Sequence, residues 1–509
     1  MAIRYWVGGS GTWDASSTTH WSTSSGGASG ASAPVAIDTV YVDANSGTSF
    51  TITLGANISI SDLFITITAT SATLSLNGYN LTTSNTCTFS GYAVVNVGSG
   101  TLAVVSVTQS GTNSNISVNT GAITCTGTYT FSGGTLNLNT GSITCSTWNS
   151  PSSTRTINWN TNGTIYVTGT TLSHISTNLT TTNPPGNFVH TGTSLTASIN
   201  NTFTESTAPN LSMTGSNISS TVIIVKNLVL NGTGTVNCAS TIYGDLTVSS
   251  GISGNNQWTM AATSGTKTIT TNNASLTFVS LVIDGPGATF NLNGNWNSNT
   301  NVNFKGGTFN ANSYNITCFQ LSISGSTTKV VNMGSGTWNL NYPLWATFGA
   351  NSTVNPQTST INLAGSATYP TGTFSGQGLT YYNLNVVYGT VTITGSNTFN
   401  NISSTATTAT TLKFTAGTTQ TVSNFTASGT AGNLLTLQST TSGSKWYLSK
   451  SSGTVSVGYL SISDCTVNPG ANWYAGLNST NGGNNLGWYF SDPYVVAGQF
   501  LDVISFSDE

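Results

Sequence analysis

The chain has 509 residues but only 9 Lys+Arg and 12 Asp+Glu, so 4% is charged, against roughly a quarter of an ordinary soluble domain. Its 94 Thr, 71 Ser, 58 Asn and 56 Gly make up over half its length, which excludes a conventional helical enzyme, while 37% hydrophobic and 10% aromatic residues exclude a disordered polymer. A net charge of −3 with no Lys/Arg cluster gives no steering toward nucleic acid or an anionic membrane, so neither is expected as a partner.

The first region, 1–45, opens without the apolar core of a secretory leader. Assembly in a cytoplasm, with no signal peptide, is the expectation. Its Tyr5, Trp6, Trp13 and Trp21 read as a cap over the open end of a repetitive structure. No apolar run approaches the roughly 20 residues that span a bilayer, so no membrane insertion is expected.

From 46 to 190 a repeat appears, in the form Thr, apolar, Asn, apolar, Asn. Thr135-Leu136-Asn137-Leu138-Asn139 and Thr156-Ile157-Asn158-Trp159-Asn160 are 21 residues apart. Strict alternation predicts a strand with one buried face, and the preceding glycines, Gly134, Gly307 and Gly336 in different copies, predict corners of positive φ. Such a strand cannot bury its apolar face alone. Stacked coils about 4.8 Å apart can, and Asn and Thr then form ladders along the stack. Like charges stacked one strand apart would repel, which accounts for their scarcity.

The second segment, 191–370, continues with Thr289 to Asn293, Thr308 to Asn312, Thr337 to Asn341 and Thr360-Ile361-Asn362-Leu363, at steps of 19, 29 and 23 residues. The fold class is therefore all-β, a parallel β-helix or solenoid with capped ends, about 20 coils forming a rod on the order of 100 Å long. Pro184-Pro185-Gly186 and Gly376-Gln377-Gly378 place divisions near 190 and 370. Mid-chain Trp258, Trp296 and Trp345 are the candidate ligand contacts, with buried stacking as the alternative. A third segment, 371–490, ends in a second aromatic cluster, Trp473, Tyr474, Trp488, Tyr489 and Phe490, read as a closing coil. Residues 491–509, which include Asp492-Pro493 and the apolar stretch Tyr494 to Phe506, read as an attachment or oligomerisation tail.

Groups that carry chemistry are sparse. Asp62, Glu205, Asp245, Asp284 and Asp464 occur singly, where a glycoside hydrolase or lyase needs converging carboxylates, so turn and corner roles are expected and no catalytic residue is assigned. His20, His174 and His190 show no metal spacing, and neither a metal nor a cofactor is assigned. Cys87, Cys125, Cys145, Cys238, Cys318 and Cys465 lack C-x-x-C spacing. The repeated Ile-Thr-Cys at 123–125, 143–145 and 316–318 marks them as buried free thiols that act as small hydrophobes.

Several stretches resemble β-helical proteins of tailed bacteriophages, structural and tail-fibre-like, and are similar also to some bacterial surface adhesins. At the start these are Arg4 to Asp14, His20-Trp21-Ser22, Ala33-Pro34 and Asp38 to Asp43. Ser264 to Thr270, Val282 to Gly285, Ala288 to Asn293 and Gly389 to Ile402 lie in the middle, and Trp473 to Trp488 at the end. The resemblance implies a virion component, a tail fibre or appendage in contact with other virion proteins and with a host surface glycan, non-enzymatic, and a homo-oligomer of the trimeric kind. A capsid-decorating filament protein, a polysaccharide-degrading tailspike and a bacterial adhesin are the alternatives.

Overall fold

The computed structural model describes residues 1–160, 163–200, 202–215, 217–342, 345–349 and 351–493. Among them every regular element is a β-strand and none is a helix. Strands pair in parallel with their counterparts one coil before and one coil after, giving a β-solenoid of about 20 turns. The repeat predicts this arrangement. Contacts divide the chain into two units, Met1–Asn256 and the remainder from Gln257. The tail expected from Tyr494 onward lies outside the described residues.

Pairing does not stop at the divisions expected near 190 and 370. Thr164–Ile175 pairs onward with Asn187–His190 and Ser194–Asn200, and these pair with Asn210–Thr214 and Asn217–Val225. Thr360–Leu363 likewise pairs with Thr380–Val386. Pro184-Pro185-Gly186 sits in a corner between Leu179–Thr182 and Asn187–His190, where a missing N–H costs no ladder bond. Gly376-Gln377-Gly378 is also a corner, with φ of 57° and 74° at its last two residues.

In the first unit, inward side chains stack like on like into columns. One runs Leu81, Leu102, Ile123, Ile143, Ile165, Phe188, Leu211, Leu228, Leu246. A second runs Val40, Leu63, Cys87, Val107, Tyr129, Trp148, Leu172, Ala197, and a third Ile52, Leu74, Val95, Ile116, Leu136, Ile157. All of these side chains are buried, each contributing about 1.5–3 kcal/mol for a large aliphatic or aromatic residue. In the second unit Trp296, Ile316, Trp338, Ile361, Leu384, Ile402 and Phe425 form one column. The six cysteines are free and buried, with Cys125 directly over Cys145.

Asparagine ladders run beside these columns. Asn119, Asn139, Asn160 and Asn183 all hold left-handed backbone, with φ of 60°, 54°, 48° and 52°. Asn139 Nδ2 donates to Asn119 Oδ1 at 2.8 Å, Asn160 donates to Asn139, and Asn183 to Asn160 at 2.9 Å. In the second unit Asn310 donates to Asn291, Asn332 to Asn310 and Asn355 to Asn332, each at 2.6 Å. Asparagine suits the left-handed turn because it tolerates positive φ better than other side-chain-bearing residues, and its amide is donor and acceptor at once, so a neutral chain of bonds can continue indefinitely. Of the three glycines expected at positive φ, Gly134 (76°) and Gly307 (89°) have it. Gly336 does not: a Cβ there would lie 2.1 Å from the Tyr314 carbonyl oxygen, so close backbone approach is what requires glycine.

One position pairs those two glycines with cations. Arg155 lies over Gly134 and Lys329 over Gly307, both on inward faces and only 2% and 1% exposed. Arg155 Nε donates to Ser150 Oγ at 2.7 Å, and its Nη atoms donate to the carbonyls of Ser150 (3.0 Å), Ser153 (2.6 Å), Thr177 (3.1 Å) and Ile175. Lys329 Nζ donates to the carbonyls of Gly325 (2.9 Å) and Thr327 (2.8 Å). Each cation ties down the corner that precedes its own strand by donating to several of that corner's carbonyls at once.

Candidate functional site

The three mid-chain tryptophans are core residues. Trp258, Trp296 and Trp345 are 0% exposed, which corrects the reading of them as ligand contacts in favour of buried stacking. Trp296 heads the column described above, and Trp345 packs against Phe374 and Tyr381, each at 5.9 Å between centroids. Alternation explains their orientation: each falls on the inward parity of its strand, where ring size fills the coil interior.

The tryptophans of both terminal aromatic clusters also point inward. Trp6, Trp13 and Trp21 are buried and meet edge to face, Trp21 lying 5.1 Å from each of the others. Ile3–Trp6 closes this end by pairing antiparallel with Trp21–Ser22 while also pairing parallel with Thr39–Val42. Trp473 and Trp488 pack against each other and Phe425, leaving Tyr489 exposed beside a recess of about 630 Å³ lined by Asn468, Pro469, Asn472 and Leu486 among others.

Three of the five carboxylates named above, Asp62, Glu205 and Asp464, are tied into local structure, while Asp284 is exposed within the strand Ser275–Asn293 rather than at a corner. Asp62 accepts bonds from Ser61 Oγ (2.7 Å), Thr86 N and Oγ1 (3.2 and 3.1 Å) and Asn85 Nδ2 (3.3 Å). Burial works to raise its pKa, but these donors outweigh it and hold the carboxyl below its usual value. Asp464 holds φ of 57° and accepts from Asn484 Nδ2 at 2.7 Å. Glu205 pairs with Lys226 at 3.5 Å. Nearby Tyr243 donates to the Phe203 carbonyl at 3.4 Å, and its pKa is raised by burial and by Glu205. A tyrosine so held is a poorer proton donor and no base, and the group reads as a clamp on the 203–208 turn. Among the described residues no cluster of three or more His, Cys, Asp or Glu is placed to hold a metal. His174 is enclosed by Trp148, Trp159, Phe188 and Phe203, and burial, with a smaller effect of Arg155, lowers its pKa to about 3.

What the fold exposes is a different aromatic group. Phe319 directly follows the inward Cys318 and Tyr342 stands two places past the inward Leu340; both rings are half-buried at the surface, outside the core. Phe319 N donates to the Thr300 carbonyl and Tyr342 N to the Phe319 carbonyl, both at 2.8 Å, stacking the residues coil on coil. Their rings lie parallel, 5.1 Å apart at 11°. Tyr369 stands beside the pair, perpendicular to both, at 4.9 and 5.6 Å, and is 43% exposed. Reciprocal backbone bonds between Ser366 and Tyr369, at 3.2 and 3.0 Å, hold it on a tight turn. A recess of about 440 Å³ opens here, lined by Asn299, Phe319, Asn341, Gly365, Ser366 and Tyr369.

Asn341 ends a complete copy of the repeat, yet its side chain takes no part in a ladder, whereas Asn339 of the same copy accepts from Asn362 at 2.8 Å. The signal in the sequence was a bulky ring just past a copy of the repeat, Phe319 after Ile316-Thr317-Cys318 and Tyr342 after Thr337 to Asn341, where other copies are followed by Thr, Ser, Gly or Ala. No protein-family model, curated protein or solved structure matches the chain.

Proposed function

We propose that this chain is a non-enzymatic fibre protein of a tailed-phage particle, an appendage that meets other virion proteins at one place and the host surface at another. The observation that supports it best is the continuity of neutral ladders and apolar columns through coil after coil. Within each unit such a stack resists bending because coil is bonded to coil along its length, and a stiff neutral support is what an appendage needs. Its surface of Thr, Asn and Ser offers hydrogen bonds without charge, matched to neutral polyols rather than to polyanions. Asp62, Glu205 and Asp464 serve corners and clamps, which favours binding over hydrolysis. A homo-oligomer, trimeric as in the fibres it resembles, fits the same role.

The test is to label intact particles of the source phage with an antibody against this chain while the purified protein competes for host adsorption. Labelling at tail extremities together with blocked adsorption is expected. Uniform capsid labelling without competition would replace the proposal with a decorating protein, and a fall in viscosity of host polysaccharide would replace it with a depolymerase.

A further inference from the structure

We propose that the recess bounded by Phe319, Tyr369, Asn299 and Asn341, with Tyr342 stacked behind Phe319, is a binding subsite for a neutral pyranose of a glycan. The inference deepens the surface-binding role proposed above and rests on it for its biological setting, though not for its chemistry. A pyranose ring presents one or both faces as C–H bonds and its rim as hydroxyls. Its binder therefore needs an aromatic surface beside amides and hydroxyls that are not already engaged, and needs no charge.

The recess meets each requirement. Three rings cluster at the surface outside the core columns, as Tyr5, Tyr41 and Phe64 also do in the first unit, but here one ring stands perpendicular to a stacked pair and borders a recess. Large exposed aromatic groups of this kind need a partner to justify their cost in solubility. Among the described residues the side-chain amides of Asn299 and Asn341 and the phenol groups of Tyr342 and Tyr369 have no hydrogen-bond partner, whereas many other asparagine amides are linked in ladders. Among the described residues no charged side chain lines the recess. The site is also rigid before any ligand arrives. Phe319 and Tyr342 are fixed by the coil-to-coil ladder, and Tyr369 by its turn, where Gly365 at φ of 53° packs within 3.2 Å of the Tyr388 carbonyl at its Cβ position. Little ordering entropy is then lost on binding.

The experiment is a titration of the full chain, followed by saturation-transfer NMR, with oligosaccharides of glucose, mannose, galactose and N-acetylglucosamine, and with polysialic acid as the anionic control. At least one neutral probe is expected to bind in the millimolar range or tighter, with affinity nearly unchanged by added salt because no ion pair is formed. Tyr369→Ala should weaken it about three- to tenfold, the worth of one aromatic contact, and Asn341→Ala should weaken it too. Tyr369→Trp should retain it, and Tyr79→Ala, at an exposed ring of the other unit, should leave it unaltered. Absence of binding by every neutral probe, equal affinity of Tyr369→Ala, or binding of polysialic acid that salt abolishes would each overturn the subsite. A Tyr369→Ala variant that instead dissociates an oligomer in sedimentation would make the recess a contact between copies and overturn it as well. The two proposals separate cleanly: if wild type and Tyr369→Ala block adsorption equally, the subsite fails and the fibre reading stands. If neutral sugar binds but wild type does not block adsorption, the reverse holds.

Discussion

Asn139 offers the most direct test of why the chain is built from asparagine. Its amide does two things at once, donating to Asn119 at 2.8 Å and accepting from Asn160, while its backbone holds φ of 54°. Asn139→Gly removes both side-chain bonds but tolerates the backbone, and should cost about 1–2 kcal/mol at roughly 0.5–1 kcal/mol for each partly exposed bond. Asn139→Ala loses the same bonds and adds the left-handed penalty of about 1–2 kcal/mol, for a total of about 2–4 kcal/mol. Asn139→Asp should be worse than Gly at neutral pH, since a carboxylate oxygen would face the Asn119 acceptor. That repulsion favours the neutral acid in the folded state and raises its pKa, so the Asp variant should regain stability as pH falls through that raised value. Long repeat arrays do not always unfold in one step, so the assay is hydrogen exchange read by mass spectrometry over peptides spanning 115–160, supported by guanidinium midpoints. The order expected is wild type, then Gly, then Ala. Ala equal to or better than Gly would refute the backbone argument, and neutral behaviour of all three would refute the ladder.

Three further outcomes follow from buried groups. His174 has its pKa lowered to about 3 by burial, so its contribution to stability is complete above the unfolded-state value and is lost as pH falls. Between pH 8 and pH 5 this amounts to about 2 kcal/mol, with the same sign at His190, whose pKa burial also lowers; in denaturant titrations wild type should lose about that much stability relative to His174→Phe over this range, and parallel curves would sink the claim. Burial raises every cysteine, Cys87, Cys145, Cys318 and Cys465 to about 12 and Cys238 to about 11, with Cys125 raised in the same direction. Native protein should therefore resist iodoacetamide at pH 8 and label at all six positions only in denaturant, as counted by intact mass. Arg155→Lys should lose about 2–3 kcal/mol, because one ammonium cannot serve acceptors spread over Ser150, Ser153, Ile175 and Thr177; fast exchange confined to 150–177 is the expected signature, and wild-type protection there would show the corner to be held by other means.

The fold was legible because a solenoid writes itself repeatedly. Alternation in Thr135 to Asn139 carries one bit of information, inward or outward, and the next copy at 156 confirms it, so strand, corner and ladder could all be read from a few copies. The cysteines were legible for the same reason: Ile-Thr-Cys recurs with its parity intact, and Cys125 does lie over Cys145. Domain divisions were less so. Pro184-Pro185 looks like a linker in one dimension, but a solenoid has a corner every few residues, and a corner accommodates proline without interrupting the ladders on either side.

Function hides in departures from the repeat, and a departure has no second copy to confirm it. Tryptophan size suggested a ligand platform at Trp258, Trp296 and Trp345, yet the parity of each strand sends all three inward. Parity applied to Phe319 sends it outward, but counted from Leu340 it sends Tyr342 inward, and only the backbone bond from Tyr342 N to the Phe319 carbonyl places the second ring over the first. What no pattern could supply is Tyr369, which joins them across a turn whose geometry depends on Gly365 and on backbone bonds between Ser366 and Tyr369. Arg155 and Lys329 show the same limit from the other side. A cation at an inward position contradicts the alternation rule until the corner carbonyls that receive it are placed in space, and only then does the glycine beneath each one, Gly134 and Gly307, become part of the same explanation. In a chain this repetitive, the informative residues are those that break parity, or obey it with the wrong chemistry, and they are where mutation should separate binding from folding.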